Sequence, residues 1–335
     1  MLALAAPFDA AAVDSFSLAR TYSRRPPVAR DQFGYSVAAA GTRLLVGAPF
    51  DDEGAQDGGA VHLIDARRGS FLLSLTAPRP AAGDQFGTSV AAVGPNILVG
   101  APLDDTDGAD AGAAYLFDGD PDSPDFGRLL ATLRNPTPAA GDRFGFAVAG
   151  VGAYPLVGAP GDDEGADDAG AAYLFDADPG SATFGQPLRT FRRPTVSGAD
   201  QFGSSLAGVG RNVLVGAPFS STAQPNAGAA DLFDGDPNSP TFGGVLKSFQ
   251  KSPPAAGDLF AASVAAAGMK VLIGAPFDDT RAVDAGAVFL FDGDPASAQF
   301  GMLLGTFQKS TPAAGDLFGF SVAALGERLL VGAAG

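Results

Sequence analysis

The residues of this chain with the clearest chemical potential are carboxylates grouped in short loops. Asp and Glu together number 37, against 21 Lys and Arg. Several carboxylate oxygens within one loop are the kind of ligand that Ca²⁺ prefers. On that ground two loops are candidate calcium sites, and their members are Asp104, Asp105, Asp107, Asp110, Asp162, Asp163 and Asp168.

Two other interpretations of these loop acids stay open. Asp and Asn also stabilise turns by hydrogen bonding to nearby backbone, and both loops lack the Asp-x-Asp-x-Asp-Gly order and the distal Glu of a common calcium loop. One corresponding loop keeps its length with Ser220, Ser221, Thr222 and Asn226 in place of acids, which favours the turn interpretation. Attraction of a cationic partner is the third interpretation.

The sequence gives little support for catalysis. With no Cys and one His, His62, a nucleophilic site would need a hydroxyl within hydrogen-bond reach of that single imidazole. Paired carboxylates acting on a polysaccharide are the enzymatic alternative. Asp231 is the one acid at a position where other repeats carry Tyr, His or Phe, so Asp231 and the nearby Asn226 form a candidate ligand site.

These residues belong to an internal repeat. An Asp-x-Phe-Gly string, in which Ala261 replaces the glycine of the fifth copy, recurs after 53 residues and then every 58. Its Phe falls at Phe33, Phe86, Phe144, Phe202, Phe260 and Phe318. Each repeat holds four apolar runs of about five residues, A to D, bounded by Gly, Pro or Asp, which is typical of strands. In the second repeat they are Ser89–Val93, Asn96–Gly100, Ala113–Phe117 and Leu129–Leu133. Four antiparallel strands per repeat predict a β-propeller.

The two ends of the chain complement each other, which predicts an all-β, six-bladed propeller with four-stranded antiparallel blades in a single domain, 1–335. Residues 31–315 form five complete repeats, and 316–335 supply strands A and B of the closing blade. Residues 1–30 supply its strands C and D, at Leu2–Ala6 and Leu18–Tyr22. The alternative is a fragment of a seven-bladed ring.

The repeat resembles the FG-GAP repeat of integrin α-chain propellers and of many bacterial surface and secreted proteins. The bacterial subtype is the closer match, and Gly100–Asp105 and Gly112–Phe117 carry it. The resemblance implies a binding or adhesion module that is extracellular or at the cell surface. The integrin calcium site between strands A and B does not carry over, because the A–B links here have two or three residues and no acid except Glu327.

The charge and hydropathy of the chain restrict the classes of partner that it could bind. A formal net charge of −16 argues against nucleic acid. No apolar stretch is long enough for membrane insertion, and the N-terminus lacks the basic region of a signal peptide. The leading prediction is a non-catalytic binding or adhesion module with a protein or glycan ligand and Ca²⁺ as a candidate cofactor. A polysaccharide-active enzyme and a structural spacer are the alternatives.

Two further expectations concern where the charges lie. Acids of the B–C and D–A loops are expected to line one face; the D–A loop acids also close turns, and they are Asp31, Asp84, Asp142, Asp200, Asp258 and Asp316. Basic residues on and just after strand D are expected to protect the outer edge of each blade. They are Arg24, Arg25, Arg192, Arg193, Lys247, Lys251 and Lys309.

Overall fold

A computed structural model describes residues 3–5, 20–23, 29–195, 197–326 and 328–335. Within these ranges the chain forms 23 β-strands and no helix. The described chain divides into two compact units. We call residues 18–164 and 170–190 the N-terminal unit, and residues 1–17, 165–169 and 191–335 the C-terminal unit.

The first strand, β1 (Ala3–Ala5), belongs to the C-terminal unit, and the N-terminal unit follows with three four-stranded antiparallel sheets. The first sheet contains β2 (Ser36–Ala40), β3 (Arg43–Ala48), β4 (Ala60–Asp65) and β5 (Phe71–Leu75). The second contains β6 (Ser89–Val93), β7 (Asn96–Ala101), β8 (Ala113–Phe117) and β9 (Leu129–Leu133). The third contains β10 (Ala147–Val151), β11 (Tyr154–Ala159), β12 (Ala171–Phe175) and β13 (Pro187–Phe191), whose last residue begins the C-terminal unit.

The C-terminal unit contains two further four-stranded sheets and one that the described residues show with three strands. The fourth sheet contains β14 (Ser205–Val209), β15 (Asn212–Ala217), β16 (Ala229–Phe233) and β17 (Val245–Phe249). The fifth contains β18 (Ser263–Ala267), β19 (Lys270–Ala275), β20 (Ala287–Asp292) and β21 (Leu303–Phe307). The sixth contains β22 (Phe318–Leu325) and β23 (Arg328–Ala333), and β1 pairs with β23.

Six antiparallel sheets confirm the predicted all-β propeller of six blades, and we number the blades as the sheets. The shared sixth blade is also confirmed, because Leu4 pairs with Leu330. The predicted strand D at Leu18–Tyr22 lies partly outside the described residues, and its described part, 20–22, is not in a strand. The assignment of 1–335 to a single domain stays a prediction.

Strands B and C form the core of the first five blades. In the second blade β8 is buried at every residue and β7 at all but its first, whereas β9 is buried only at Leu133. Phe86, in the D–A loop, is fully buried and packs against Tyr115 and Phe117 with ring centroids 5.5 and 6.0 Å apart. Phe33, Phe144, Phe202 and Phe260 make the same contact, so in five blades the repeated Phe anchors the D–A loop to strand C of the blade that follows it.

In the first, second, fourth and fifth blades a glycine at the end of the B–C loop lets the next blade approach. Gly112 has a φ of +79°, and a Cβ there would lie 2.2 Å from the carbonyl oxygen of Phe144. The Phe144 amide donates to Ala111 at 3.0 Å, so backbone hydrogen bonding joins the second and third blades. Gly228 and Phe260 repeat the contact in the C-terminal unit.

Candidate functional site

The first acid of the B–C loop is buried in the four blades that have one, at Asp51, Asp104, Asp162 and Asp278. Asp104 is 2% exposed; its Oδ1 accepts the Thr106 amide at 2.9 Å, and its Oδ2 accepts the Tyr115 hydroxyl. Asp162, also 2% exposed, accepts the Glu164 amide at 3.0 Å and the Tyr173 hydroxyl. These carboxylates are therefore both turn acceptors and partners of strand C.

The second acid of the loop remains exposed and holds the loop closed. Asp105 Oδ1 accepts the amide of Asp110 at 2.7 Å, and Asp110 has a φ of +53°. In the fourth blade Ser221 Oγ accepts the amide of Asn226 at 3.0 Å, and Asn226 has a φ of +50°. Asp168 takes the same left-handed conformation, in which Asn and Asp are enriched. The geometry thus gives Asn226 a turn role.

The remaining candidate ligands are on the surface. Asp107 forms an ion pair with Arg134 at 2.5 Å, and Asp163 is exposed. Among the residues that the model describes, no three Asp, Glu or His side chains come together closely enough to hold a metal ion. The calcium interpretation of the seven selected acids stays untested, and the contacts of Asp104, Asp105 and Asp162 favour the turn interpretation.

The buried acids of a blade and their partners form what we call its polar cluster. In the third, fourth and fifth blades one side chain bridges the acid of the D–A loop and a second acid, which comes from the B–C loop or from strand C. In the third blade the bridge is Asn135, whose Nδ2 lies 2.6 Å from Asp142 Oδ2 and 3.1 Å from Asp162 Oδ2. We call this the bridging position; it lies seven residues before the D–A acid. Its described occupants are Ala77, Asn135, Arg193, Lys251 and Lys309.

In the fourth blade Arg193 is the bridge. Its Nε lies 3.1 Å from Asp231 Oδ2, and its Nη1 lies 3.1 Å from Asp200 Oδ2 and contacts Ser220 Oγ. Asp231 has no exposed surface, and its Oδ1 accepts the Ser248 hydroxyl. The acid missing from the loop at Ser220 is therefore present on strand C at Asp231, where it pairs with Arg193.

In the fifth blade Lys251 is the bridge. Its Nζ lies 2.8 Å from Asp258 Oδ2 and 2.6 Å from Asp278 Oδ2. The side chains of Lys251 and Arg193 are only 10% and 4% exposed. The expectation that these two basic residues protect an outer edge is therefore wrong, because both insert into the cluster of the following blade.

The first blade contains a Ser-His-Asp array. His62 Nδ1 lies 2.8 Å from Ser74 Oγ, and His62 Nε2 lies 3.3 Å from Asp51 Oδ2. The same register in the fourth blade places Ser248 against Asp231 without any histidine. Because the strand D hydroxyl recurs where no imidazole is present, the array fits the repeat's polar cluster rather than a dedicated nucleophile.

Burial and hydrogen bonding act against each other on the pKa values of the clusters. Burial raises the pKa of Asp142, and the charge of Asp162 raises it further. Burial also acts to raise the pKa of Asp104, but hydrogen bonds from Thr106 and Tyr115 outweigh it and hold that pKa below its ordinary value. Burial likewise opposes the charge of Lys251, and its two Asp partners nevertheless raise the pKa of the amine.

The prediction that the acids of both loop classes line one face is wrong for the first B–C acid and for the D–A acid. Asp104, Asp278, Asp142 and Asp258 are each no more than 2% exposed. Sequence reasoning missed the bridging position because its occupants differ in charge and size. The available signal was its constant distance of seven residues from the D–A acid, as between Asn135 and Asp142.

The sheets and their polar clusters define a repeat-built β-propeller. The family model described as the FG-GAP repeat matches residues 27–64, 72–117, 130–175 and 252–291, which together exceed half of the chain, and the chain belongs to that family. The fourth blade, with Arg193 and Asp231, lies outside the matched stretches.

Comparison of structures supports the fold alone. A chain of the crystal structure of the mitotic checkpoint complex is 11% identical, with a TM-score of 0.53 over 89% of this chain and 73% of that chain. No curated protein matches the sequence. Among the described residues, no helix is long and apolar enough to span a membrane.

Proposed function

We propose that the chain is a non-catalytic binding or adhesion module of a surface or secreted protein, with a protein or glycan ligand. One observation carries the proposal: three large aromatic side chains are exposed at the same repeat position, directly after the Phe-Gly pair. Tyr35 is 59% exposed, Phe146 40% and Phe320 55%. Exposed aromatic residues are enriched at binding surfaces because they bury much area on contact.

The acids fit the same interpretation. Exposed carboxylates lie on the B–C loops, at Asp105 and Asp110 for example, and give that loop surface a negative charge that favours complementary partners. The buried carboxylates of Asp104 and Asp231 are occupied by Tyr115 and Arg193. An acid–base pair would instead need at least one carboxyl group facing the substrate.

Family membership supports the location. FG-GAP repeats are typical of extracellular proteins, and we propose an extracellular or cell-surface location here. The net charge of −16 disfavours nucleic acids as partners.

The test measures binding of the purified chain to arrays of glycans and of purified secreted and surface proteins. The double variant Tyr35→Ala/Phe146→Ala should bind the best ligand at least tenfold more weakly. The matched control is Leu72→Ala, because Leu72 is 43% exposed on the outer strand β5. Equal binding by both variants would refute the proposed surface. Turnover of a polysaccharide by the purified chain would show an enzyme instead.

A further inference from the structure

The polar cluster of the fifth blade holds a buried primary amine between two carboxylates. Lys251 Nζ lies 2.8 Å from Asp258 Oδ2 and 2.6 Å from Asp278 Oδ2. The two acids are each 1% exposed, and all three residues belong to the C-terminal unit. An amine and a carboxyl group in contact can condense to an amide with loss of water, because fixing two reactants in place raises their effective concentration to about 10⁵–10⁸ M.

The other described bridging groups are poorly suited to this reaction. The guanidinium of Arg193 stays protonated at any physiological pH, and the lone pair of the Asn135 amide nitrogen is delocalised into its carbonyl group. Lys309 is 32% exposed, and in the described part of the chain it pairs with Asp316 and with no second acid. Among these residues Lys251 alone therefore combines a buried amine with both a carboxyl partner and a second proton acceptor.

Hydrogen bonds give the two acids of the cluster different roles. Asp278 Oδ1 accepts the Thr280 amide at 2.9 Å, and this donor would stabilise negative charge on Oδ1 when an amine adds to Cγ. Asp278 Oδ2 faces the amine, because Phe289 has no hydroxyl and stands at the strand C position from which tyrosine donates to the equivalent acid in two other blades. Asp258 Oδ2 accepts from the amine, where a carboxylate can take up and return protons.

We propose that Lys251 and Asp278 form an intramolecular isopeptide bond, with Asp258 as the proton relay. The lone pair of the neutral Nζ adds to Cγ of Asp278, and the Cγ–Oδ2 bond then breaks with its electron pair on the oxygen. Asp258 carries two protons in turn from Nζ to Oδ2, which leaves as water. One ammonium and one carboxylate thus become one amide and one water molecule, and the reaction needs no oxidant or other co-reactant.

The bond joins two neighbouring blades of the C-terminal unit. Lys251 follows β17 of the fourth blade, and Asp278 follows β19 of the fifth. A covalent link between them keeps the two blades attached when the chain is partly unfolded. The two Asp partners raise the pKa of the amine, so the neutral amine is a minor species and the bond forms slowly from the ion pair.

The test follows the intact mass of the full chain by mass spectrometry, first when freshly purified and then during days of incubation under native conditions. We expect the chain to lose the mass of one water molecule, and proteolysis to release a branched peptide that joins Lys251 to Asp278. Lys251→Arg keeps the positive charge, removes the nucleophile and should keep the full mass. Lys309→Arg is the matched control, because it removes the amine from the next bridging position and should lose water as wild type does.

A further variant tests the relay, since Asp258→Asn should slow bond formation by about 10²-fold. If Lys251→Arg folds poorly, fragmentation of the wild-type branched peptide still locates the bond. An unchanged mass of the wild-type chain would overturn the inference. A loss of water that persists in Lys251→Arg would also overturn it, and would assign the dehydration to a succinimide at an Asp-Gly pair such as Asp118-Gly119.

Discussion

The Nε atom of Arg193 lies 3.1 Å from Oδ2 of Asp231, and both side chains are buried. The same guanidinium reaches Asp200 at 3.1 Å. Asp231 and Asp200, which come from different segments of the fourth blade, thus share the guanidinium of Arg193. Arg193 follows strand D of the third blade. The cluster holds the D–A loop and strand C together.

Removal of the Arg193 guanidinium should lower the free energy of unfolding substantially. Arg193→Ala leaves two buried carboxylates without their counter-charge, and breaking a buried pair in this way typically costs about 3–5 kcal/mol. Urea unfolding followed by circular dichroism measures the change. The control is Arg128→Ala, whose pair with Asp125 is exposed on both sides and should contribute at most about 1 kcal/mol. Equal losses in the two variants would refute the structural role of the cluster.

The tyrosine hydroxyls in the second and third blades should contribute measurably to the free energy of unfolding. Tyr115→Phe removes the donor to Asp104 Oδ2 and leaves a buried acceptor, at a cost of about 1–3 kcal/mol. Tyr35→Phe is the control, because Tyr35 is exposed. If both substitutions change the free energy of unfolding equally, the hydroxyl of Tyr115 does not stabilise the cluster.

Two buried acids should respond to pH in opposite directions. Burial raises the pKa of Asp142, so the native state takes up this proton first and the group's contribution to stability rises as pH falls from about 7 towards 4. For Asp278, burial is outweighed by hydrogen bonds from Lys251 and Thr280, which hold its pKa below 3.8. Its contribution is present above that value and is lost as pH falls further.

Unfolding free energies of Asp142→Asn and Asp278→Asn, each relative to wild type across this pH range, check both signs. The advantage of wild type over Asp142→Asn should grow between about pH 7 and pH 4, and its advantage over Asp278→Asn should shrink below about pH 4. Parallel curves for the three proteins would contradict the assigned pKa directions.

The junction glycine of the second blade, Gly112, should not tolerate a side chain. Gly112→Ala combines a φ of +79° with a Cβ position 2.2 Å from the Phe144 carbonyl oxygen, whereas Gly141→Ala has a φ of +89° and open space. Backbone strain alone costs about 1–3 kcal/mol, so Gly141→Ala measures the strain and Gly112→Ala should lose clearly more. Equal Tm values for Gly112→Ala and Gly141→Ala would contradict this prediction, because they would show that the two blades can move apart to accommodate the new Cβ.

The fold could be predicted because strands depend on local patterns. In the second blade β6, β8 and β9 have the predicted bounds, and β7 extends one residue further, to Ala101. The pairing of β1 with β23 could be predicted from the number and spacing of the repeats, because the two ends of the chain each supply part of one blade. These features need only apolar runs, turn residues and a constant period, and the sequence displays all three.

The clusters could not be predicted in the same way, because they join positions from three segments. Asp231 stood out in the sequence as an irregular acid, but its partner Arg193 lies 38 residues away and resembled an edge charge. Other blades carry the acid in the B–C loop, whereas the fourth blade has Ser220 there and carries its acid on strand C, at Asp231. The cluster keeps its negative charge although the sequence differs at both positions. Recognising that requires the contacts of the folded blade.

The central claim is that the loop carboxylates use protein donors as their partners. Thermal unfolding in excess EDTA and then in millimolar Ca²⁺ tests it most directly, because a ligand at about 100 times its Kd stabilises a protein by about 2.7 kcal/mol. We predict the same Tm in both conditions. A rise of several degrees with Ca²⁺ that disappears in Asp104→Asn/Asp105→Asn would contradict the claim and establish a calcium site at these loops.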